Sequence, residues 1–228
     1  RRIRNFEKWY SKRPEYVQRM LERSEKYLFY VVGEVEKRNM PMEIALLPMI
    51  ESAYNPIATS RQKAAGMWQF IPSTGKIYGL KQNWWVDERR SVIESTNAAL
   101  NYLEKLYKEF GSWELALASY NAGEGRVGRA IKRNKRNKKS TGYYNLRLPR
   151  ETKNYVPKLF AIKNIISNPK KYGLKLPDIK NKPYFEYIEV TKNIDTQLIA
   201  RLSEISIEEF QLLNPQHKRP VINVKNAS

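Results

Sequence analysis

The chain has 228 residues, 41% of them hydrophobic, so it can bury one substantial core and a small second module. It has no cysteine, which excludes disulfides, and no run of 18 or more apolar residues, so it predicts no membrane-spanning helix. The formal net charge of +19 indicates an anionic partner without choosing among nucleic acid, lipid headgroups and acidic polymers.

Residues 1–40 are rich in charged and aromatic side chains. Tyr16, Met20, Tyr27 and Val31 recur at helical spacing, which predicts an arm of one or two amphipathic helices. We expect this arm to pack on the main domain and to carry no chemistry.

Glu51 ends an apolar helical stripe that begins after Pro41 and includes Ile44 and Leu47. Pro48 removes a helical hydrogen bond and should bend or tighten the helix just before Glu51. A carboxyl group on an apolar stripe should be partly desolvated, which raises its pKa and suits a general acid. The alternative is a solvated carboxylate at a frayed helix end.

A small-residue loop follows and leads to Gly66-Met67-Trp68-Gln69-Phe70. Gly66 indicates a close approach of the backbone to another group. Trp68 and Phe70 are explained equally well as core residues, but the Gln69 amide lies between two aromatic side chains and requires a hydrogen-bond partner. Further on, Asp87 is predicted to cap a helix over residues 88–110.

Two later segments leave polar groups that packing does not explain. A buried helix ends in Tyr120-Asn121-Ala122-Gly123, where Gly123 permits a left-handed backbone and Asn121 offers a donor and an acceptor. Tyr155 lies on the apolar stripe of a helix that follows Pro149. It is either a core phenol with a backbone partner or a hydroxyl directed into a site.

The segment 126–139 has eight Lys or Arg side chains in fourteen residues. It is either a docking surface for a polyanion or a solvated helix end. It lacks the interleaved aromatic side chains of a single-strand binding platform, and no nucleic-acid motif is present, so we expect no nucleic-acid partner.

Residues 170–183 are rich in Pro and Lys and are predicted to form a linker. The segment 184–190, YFEYIEV, is strand-like, and two short helices follow it. His217 is the only histidine and has no cysteine or second histidine nearby, so we expect no metal site and no cofactor.

Four motifs in order resemble the lysozyme-like lytic transglycosylases of SLT family 1: Glu51-Ser52, Gly66-Met67-Trp68-Gln69, Tyr120-Asn121-Ala122-Gly123, and the segment 151–158, ETKNYVPK. The wider family often has Gly-Leu-Met-Gln at the second motif. The Trp found here is similar to the membrane-bound transglycosylase D group. The tail resembles a LysM module, although its usual Gly-Asp-Thr-Leu is replaced by residues 193–198, NIDTQL, so sugar binding by this degenerate copy stays open.

The resemblance implies a mainly α, lysozyme-like domain with an N-terminal helical arm and a small α+β LysM-like module. The domain boundaries that we predict are an arm at 1–40, a catalytic domain at 41–168, a linker at 169–183 and a LysM-like module at 184–228.

The resemblance also implies a peptidoglycan lytic transglycosylase that cleaves the β-1,4 bond between MurNAc and GlcNAc and forms 1,6-anhydro-MurNAc ends. Glu51 would be its single acid and base. The residues implied to bind or orient the substrate are Ser52, Met67, Trp68, Gln69, Tyr120, Asn121 and Tyr155.

No second Asp or Glu lies between Glu51 and Asp87, which fits a single-acid mechanism better than one with two carboxylates. Two alternatives stay open: a goose-type lysozyme-like hydrolase that uses water, and a catalytically idle wall-binding protein. The expected partners are peptidoglycan strands and, through segment 126–139, an anionic wall polymer or membrane surface. We expect a monomer in the periplasm or cell envelope, with an anchor upstream of residue 1 left open.

Overall fold

The structure, a computed structural model, describes residues 1–225 and is mainly α-helical, as predicted. In chain order the α-helices are α1 (Arg2–Ser11), α2 (Pro14–Ser24), α3 (Leu28–Lys37), α4 (Leu47–Ser52), α5 (Pro72–Ile77), α6 (Val92–Phe110), α7 (Trp113–Ala122), α8 (Glu124–Arg136), α9 (Arg150–Ser167), α10 (Thr196–Leu202) and α11 (Ile207–Leu213). Short 3-10 helices span Met42–Leu46, Glu88–Arg90, Tyr143–Asn145 and Pro169–Tyr172. The strands are β1 (Ile194–Asp195) and β2 (Val221–Ile222), paired antiparallel with Ile194 opposite Ile222.

The chain forms two compact units, each assembled from separate stretches of sequence. The first unit contains residues 1–18 and 99–176, and the second contains residues 19–98 and the tail from 177 onward. The boundaries at 41, 169 and 184 that the sequence suggests stay predictions.

In the first unit, α9 is the central helix, and both α1 and α7 pack against it. Its apolar stripe includes Val156, Leu159 and Ile162, all of which are buried. Burying such a stripe between neighbouring helices is the main source of helix stability in a protein. The α7 helix begins at a side-chain cap, where Ser112 accepts a hydrogen bond from the Leu115 amide.

The N-terminal arm contains three helices rather than the one or two predicted. Pro14 begins α2, because a residue without an N–H fits the first turn of a new helix. The arm is also divided, since residues 1–18 belong to the first unit and residues 19–40 to the second. Within the second unit, α3 packs against the Met42–Leu46 3-10 helix.

The predicted helix before Glu51 is split in two. The chain forms the Met42–Leu46 3-10 helix, and α4 begins at Leu47 with Pro48 in its first turn. Pro48 therefore breaks no hydrogen bond inside α4, because its missing N–H lies where a helix has no partner for it.

The tail module has a different strand from the one predicted. Residues 184–190 form no strand, and β1 begins only at Ile194. Side-chain contacts hold residues 184–190 in place instead of strand pairing. The Phe185 ring lies 5.8 Å from the Tyr30 ring, and Val190 packs on a hydrophobic cluster. That cluster consists of Val86, Ile199, Ala200, Phe210 and Ile222. The last three residues of the predicted module, 226–228, lie outside the described part of the chain.

Candidate functional site

Glu51 is the next-to-last residue of α4, and its side chain is half-buried. The helix ends abruptly because Ala53 and Tyr54 both adopt left-handed backbone conformations, with φ of 52° and 58°. Such conformations are costly for residues other than glycine and persist only where the surroundings hold them. Here the Tyr54 amide donates to the Pro48 carbonyl at 3.0 Å, so the end of the helix is anchored rather than frayed.

The Tyr54 side chain also holds the end of the helix that carries Glu51. It is fully buried, and its hydroxyl donates to the Ala45 carbonyl at 2.7 Å. Burial raises the pKa of this phenol well above its ordinary value. The hydroxyl therefore stays protonated and keeps donating.

Ser52 joins the end of α4 to the loop that carries Gln69. Its hydroxyl lies 2.9 Å from the Met67 carbonyl, to which it donates, and it accepts a hydrogen bond from the Asn55 amide at 3.2 Å. The family resemblance implies that Ser52 binds or orients the substrate. In the structure it ties Glu51's helix to the 66–70 segment.

Gln69 has the hydrogen-bond partners that the sequence required, and they belong to its own loop. Its backbone has φ of 52°, and its amide nitrogen donates to the carbonyls of Gly66 at 2.8 Å and Ala58 at 3.4 Å. The amide nitrogen therefore stabilises the turn that presents the loop.

Met67 and Trp68 are almost completely buried, with 1% and 0% of their surface exposed. The Trp68 indole N–H donates to the Thr96 hydroxyl at 2.9 Å, as a buried indole must. Their side chains support the loop from within and present almost no surface to a sugar. We therefore assign these two side chains no direct contact with the substrate.

Arg89 is the main residue that the sequence did not reveal. Its guanidinium makes a paired interaction with Asp87, with Nε to Oδ1 at 2.8 Å and Nη2 to Oδ2 at 2.7 Å. It also donates to the carbonyls of Lys63 at 2.7 Å and Phe70 at 3.1 Å. Asp87 caps only the Glu88–Arg90 turn, because Ser91 is extended and α6 begins at Val92, so the single helix predicted over residues 88–110 is divided. Asp87 also holds the Arg89 guanidinium, the clamp that contacts both ends of the loop.

Gly66 allows the clamp to close. Its φ is +83°, and a Cβ at this position would lie 1.7 Å from the Arg89 carbonyl oxygen. The close backbone approach predicted at Gly66 is therefore confirmed, and the group that approaches is the backbone of the Glu88–Arg90 turn. An Arg two residues after a capping Asp is the sequence signal that could have indicated the Arg89 clamp.

In the first unit, Asn121 is oriented by α9. The Thr152 hydroxyl donates to the Asn121 Oδ1 at 2.8 Å, and the Tyr143 hydroxyl donates to the Thr152 carbonyl at 2.6 Å. Burial raises the pKa of Tyr143 to about 12, so this phenol stays a donor. The Thr152 hydroxyl therefore occupies the side-chain oxygen of Asn121, and the amide N–H groups of Asn121 are directed away from that hydroxyl.

Tyr120 and Tyr155 are also in the first unit. Tyr120 is half-buried, with its ring 5.5 Å from that of Tyr102. Tyr102 in turn donates to Glu124 at 2.6 Å, which links α6 to the start of α8. Tyr155 is only 4% exposed and lies on α9, the helix that holds Asn121 through Thr152.

The predicted site residues thus form two sets, one in each unit. Glu51, Ser52 and residues 67–69 are joined by the hydrogen bonds of Ser52, while Asn121 and Tyr155 are related through α9. Across residues 1–225, no group of three or more His, Asp or Glu side chains is placed to hold a metal ion. No helix in that part of the chain is both long and apolar enough to cross a membrane.

Two family models match the sequence. Residues 32–142 match the transglycosylase SLT domain. Residues 184–228 match the LysM-like domain of lytic transglycosylase MltD.

Curated relatives match most of the chain. Membrane-bound lytic murein transglycosylase D of Escherichia coli K12 is 45% identical over 214 residues, which are 93% of this chain and 47% of that protein. The chain therefore spans about half the length of this relative. A putative tributyltin chloride resistance protein of Alteromonas is 42% identical over 169 residues, which are 74% of this chain and 80% of that protein.

Among solved structures, an inactive mutant of the lytic transglycosylase Slt from Pseudomonas aeruginosa aligns with 64% of this chain and 24% of its own. The identity is 24% and the TM-score is 0.46.

Proposed function

This chain belongs to the SLT family of lytic transglycosylases, and we propose that it cleaves the β-1,4 bond between MurNAc and GlcNAc in peptidoglycan, leaving 1,6-anhydro-MurNAc ends. Support comes from the relative named as a murein transglycosylase, which is 45% identical over 93% of this chain. All four motifs that carry the proposed chemistry are present in order.

The observation that carries the proposal is a single carboxyl group on an anchored helix end. No other Asp or Glu lies between Glu51 and Asp87, and the next two acids, Asp87 and Glu88, are held by other groups. Asp87 pairs with Arg89, and Glu88 accepts a hydrogen bond from the Lys81 amide at 2.7 Å. Glycosidases with two carboxylates need both of them available to the sugar. A lone carboxyl group in this stretch of the chain instead favours participation by the substrate.

In the reaction, Glu51 donates its proton to the glycosidic oxygen as the bond to C1 of MurNAc breaks. The carbonyl oxygen of the MurNAc N-acetyl group stabilises the positive charge that develops at C1. Glu51, now a carboxylate, accepts the proton of the sugar's own 6-hydroxyl, whose oxygen closes the 1,6-anhydro ring. The carboxyl group is regenerated and no water is consumed, so one residue acts as acid and then as base.

The other residues are proposed to orient the reacting groups. Asn121 has its oxygen engaged by Thr152, which leaves its amide N–H groups to donate to the N-acetyl carbonyl. Tyr155 and Tyr120 are proposed to position the acetamido group and the sugar. Ser52 and Gln69 hold the loop beside Glu51 in shape, and such positioning contributes to catalysis because small misplacements of a reacting group are costly.

Digestion of purified sacculi tests the proposal. We expect wild-type protein to release anhydro-muropeptides, whose mass is lower by one water than that of hydrolytic products. Glu51→Gln keeps the shape of the side chain but removes the proton, so release should fall by a factor of about 10³ or more. Glu36→Gln, at an exposed position on α3, is the matched control and should keep full activity.

Three outcomes contradict the proposal. Products that carry the additional water identify a hydrolase, which is the goose-type lysozyme alternative. Anhydro products released by Glu51→Gln at the wild-type rate remove Glu51 from the mechanism. Absence of any product from wild-type protein that still binds sacculi favours the idle wall-binding alternative.

We also propose that segment 126–139 contacts an anionic polymer or membrane surface of the cell envelope, where this activity would be located. All eight of its cationic side chains are exposed. Binding of the protein to anionic vesicles or wall polymer should weaken steeply as salt rises, because exposed charges are screened.

A further inference from the structure

A groove in the first unit has a composition that the proposed chemistry does not use. It lies between α1 and the start of α9 and has a volume of about 610 Å³. Arg2, Phe6 and Trp9 line it from α1, and Arg150, Lys153 and Asn154 line it from α9. None of the side chains lining it in the described part of the chain is acidic.

The groove concentrates the positive charge of three side chains, Arg2, Arg150 and Lys153. Arg2 donates to the Lys153 carbonyl at 2.9 Å, which holds its guanidinium over the first turn of α9. This bond uses one of the five N–H donors of arginine. Within residues 1–225, neither Arg2, Arg150 nor Lys153 forms an ion pair with a carboxylate.

The position of these cations is electrostatically unfavourable. Arg150 and Lys153 lie in the first turn of α9, where the helix dipole is positive and cations destabilise. Glu151 in the same turn offsets part of this charge, but it points about 100° away from Arg150 around the helix. A bound anion would relieve the repulsion and accept hydrogen bonds from the cations.

The other wall of the groove is aromatic and held in place. Trp9 is 42% exposed, yet it packs edge-on against Tyr10 with ring centroids 4.9 Å apart. The guanidinium of Arg13 lies 4.3 Å from the Trp9 ring centroid and adds a further cation. An exposed indole fixed in this way offers a flat apolar surface beside the charged groups, which suits a ligand with both apolar and anionic parts.

The groove is separate from the residues proposed for chemistry. Arg150, Lys153 and Asn154 share one face of α9, since residues three and four apart are neighbours on a helix. Tyr155 follows Asn154 directly and therefore lies about 100° further around the helix. A ligand in the groove would contact a different side of α9 from the one that carries Tyr155.

We propose that this groove binds the carboxylate groups of an acidic peptide attached to the glycan strand, with the aliphatic part of the peptide against Phe6 and Trp9. The identity of the ligand rests on the proposed function, because peptidoglycan carries such peptides. The groove thereby selects strands that bear peptides with free carboxylates over bare glycan.

Calorimetric titration of the whole chain with an N-acetylmuramoyl tripeptide tests the proposal. This probe has free carboxylates and no glycosidic bond, so its binding is independent of cleavage. We expect the variant Arg2→Gln/Arg150→Gln/Lys153→Gln to bind about tenfold or more weakly, because several charge-assisted hydrogen bonds are lost. The same peptide with amidated carboxylates should bind wild-type protein equally weakly.

The matched control removes the same charge from exposed positions beyond the C-terminal end of α9, with the substitutions Lys170→Gln, Lys171→Gln and Lys175→Gln. It should bind the tripeptide within about twofold of wild type, since the rise along α9 separates these cations from Lys153 by roughly 20 Å or more, a distance at which exposed charges are screened. If the triple groove variant melts at a lower temperature, the single variant Arg150→Gln, at an exposed side chain, should still weaken binding about fivefold.

Three results would overturn the proposal: equal effects of the groove variant and the control variant, binding of the amidated peptide as tight as that of the free acid, or binding of inorganic polyphosphate through the groove cations with no binding of the tripeptide. The last result would identify a phosphate polymer as the ligand. Loss of anhydro-product formation with tripeptide binding intact refutes the proposed function and leaves the groove proposal standing. Normal formation of anhydro products without tripeptide binding refutes the groove proposal and leaves the proposed function standing.

Discussion

Replacing Arg89 with Met should destabilise the loop that carries Gln69. Arg89 and Asp87 are each only 9% exposed, and the guanidinium makes two hydrogen bonds to that carboxylate and two to backbone carbonyls of the loop. Methionine fills a similar volume but leaves the buried carboxylate and both carbonyls without these donors. Removing one partner of a buried ion pair typically costs about 3–5 kcal/mol.

Urea denaturation followed by tryptophan fluorescence measures this loss as a change in the free energy of unfolding. For a chain of this size, about 3–5 kcal/mol corresponds to a fall in melting temperature of roughly 10 °C. The double variant Asp87→Asn/Arg89→Met should cost less than the sum of the single variants, because the second change removes a charge already left unpaired. Release of anhydro-muropeptides should fall as well, since the loop beside Glu51 loses its clamp.

Arg90→Met is the control for this prediction. Arg90 is the next residue and also donates to two loop groups, the Ile57 carbonyl and the Thr59 hydroxyl, but these bonds are exposed to solvent. Its replacement should cost about 1 kcal/mol or less. Equal losses for the Arg89 and Arg90 variants would refute the reasoning, because burial of the clamp would then have no energetic effect.

Three further changes test other parts of the fold. Gly66→Ala should destabilise the protein by more than about 3 kcal/mol, whereas Gly79→Ala should cost about 1 kcal/mol; both glycines have φ above +80°, but only at Gly66 would a Cβ meet a backbone oxygen. Phe210→Ala should cost about 3–5 kcal/mol, since Phe210 is 6% exposed in the cluster of the tail module. Burial opposes ionisation of Glu209, but hydrogen bonds from Lys26 and Tyr184 outweigh that effect and hold the pKa of Glu209 below its usual value. The ionised Glu209 should therefore stabilise the protein near neutral pH, and this stabilisation should be lost as pH falls below about 4.

Denaturation curves measure all three. Similar losses for the two glycine variants would show that the close approach at Gly66 is absent. A Phe210→Ala variant as stable as wild type would show that the tail cluster adds no stability. The pH effect should be within about 1 kcal/mol, because the ion pair is partly exposed, and it should disappear in Lys26→Met; an unchanged pH profile in that variant would contradict the assignment to this pair.

The family and the candidate acid could be predicted from the sequence because they depend on local patterns. The four motifs, the apolar stripe before Glu51 and the cap at Asp87 each involve residues close together in the chain. Hydrophobic periodicity and the need for hydrogen-bond partners are properties of short segments. For the same reason, Gly66 could be recognised as a position of close approach.

Predictions from the sequence were wrong where the residue pattern was ambiguous or where the contacting residue is distant in the chain. Segment 184–190 alternates like a strand, but Tyr187 and Ile188 are 75% and 74% exposed and no neighbouring strand pairs with the segment. A strand needs a pairing partner, and its own side chains cannot indicate whether one exists. The predicted bend at Pro48 was likewise replaced by a change from a 3-10 helix to α4.

The sequence by itself determined the helical class, the motifs and the single candidate acid, because these are encoded in composition and short-range order. Only the tertiary structure decided what supports each set of candidate residues. It paired Arg89 with Asp87 and with both ends of the loop, buried Trp68 against Thr96, and oriented Asn121 through Thr152. These contacts join residues as many as 31 positions apart, and a buried polar group acquires its partner only when folding excludes water from both.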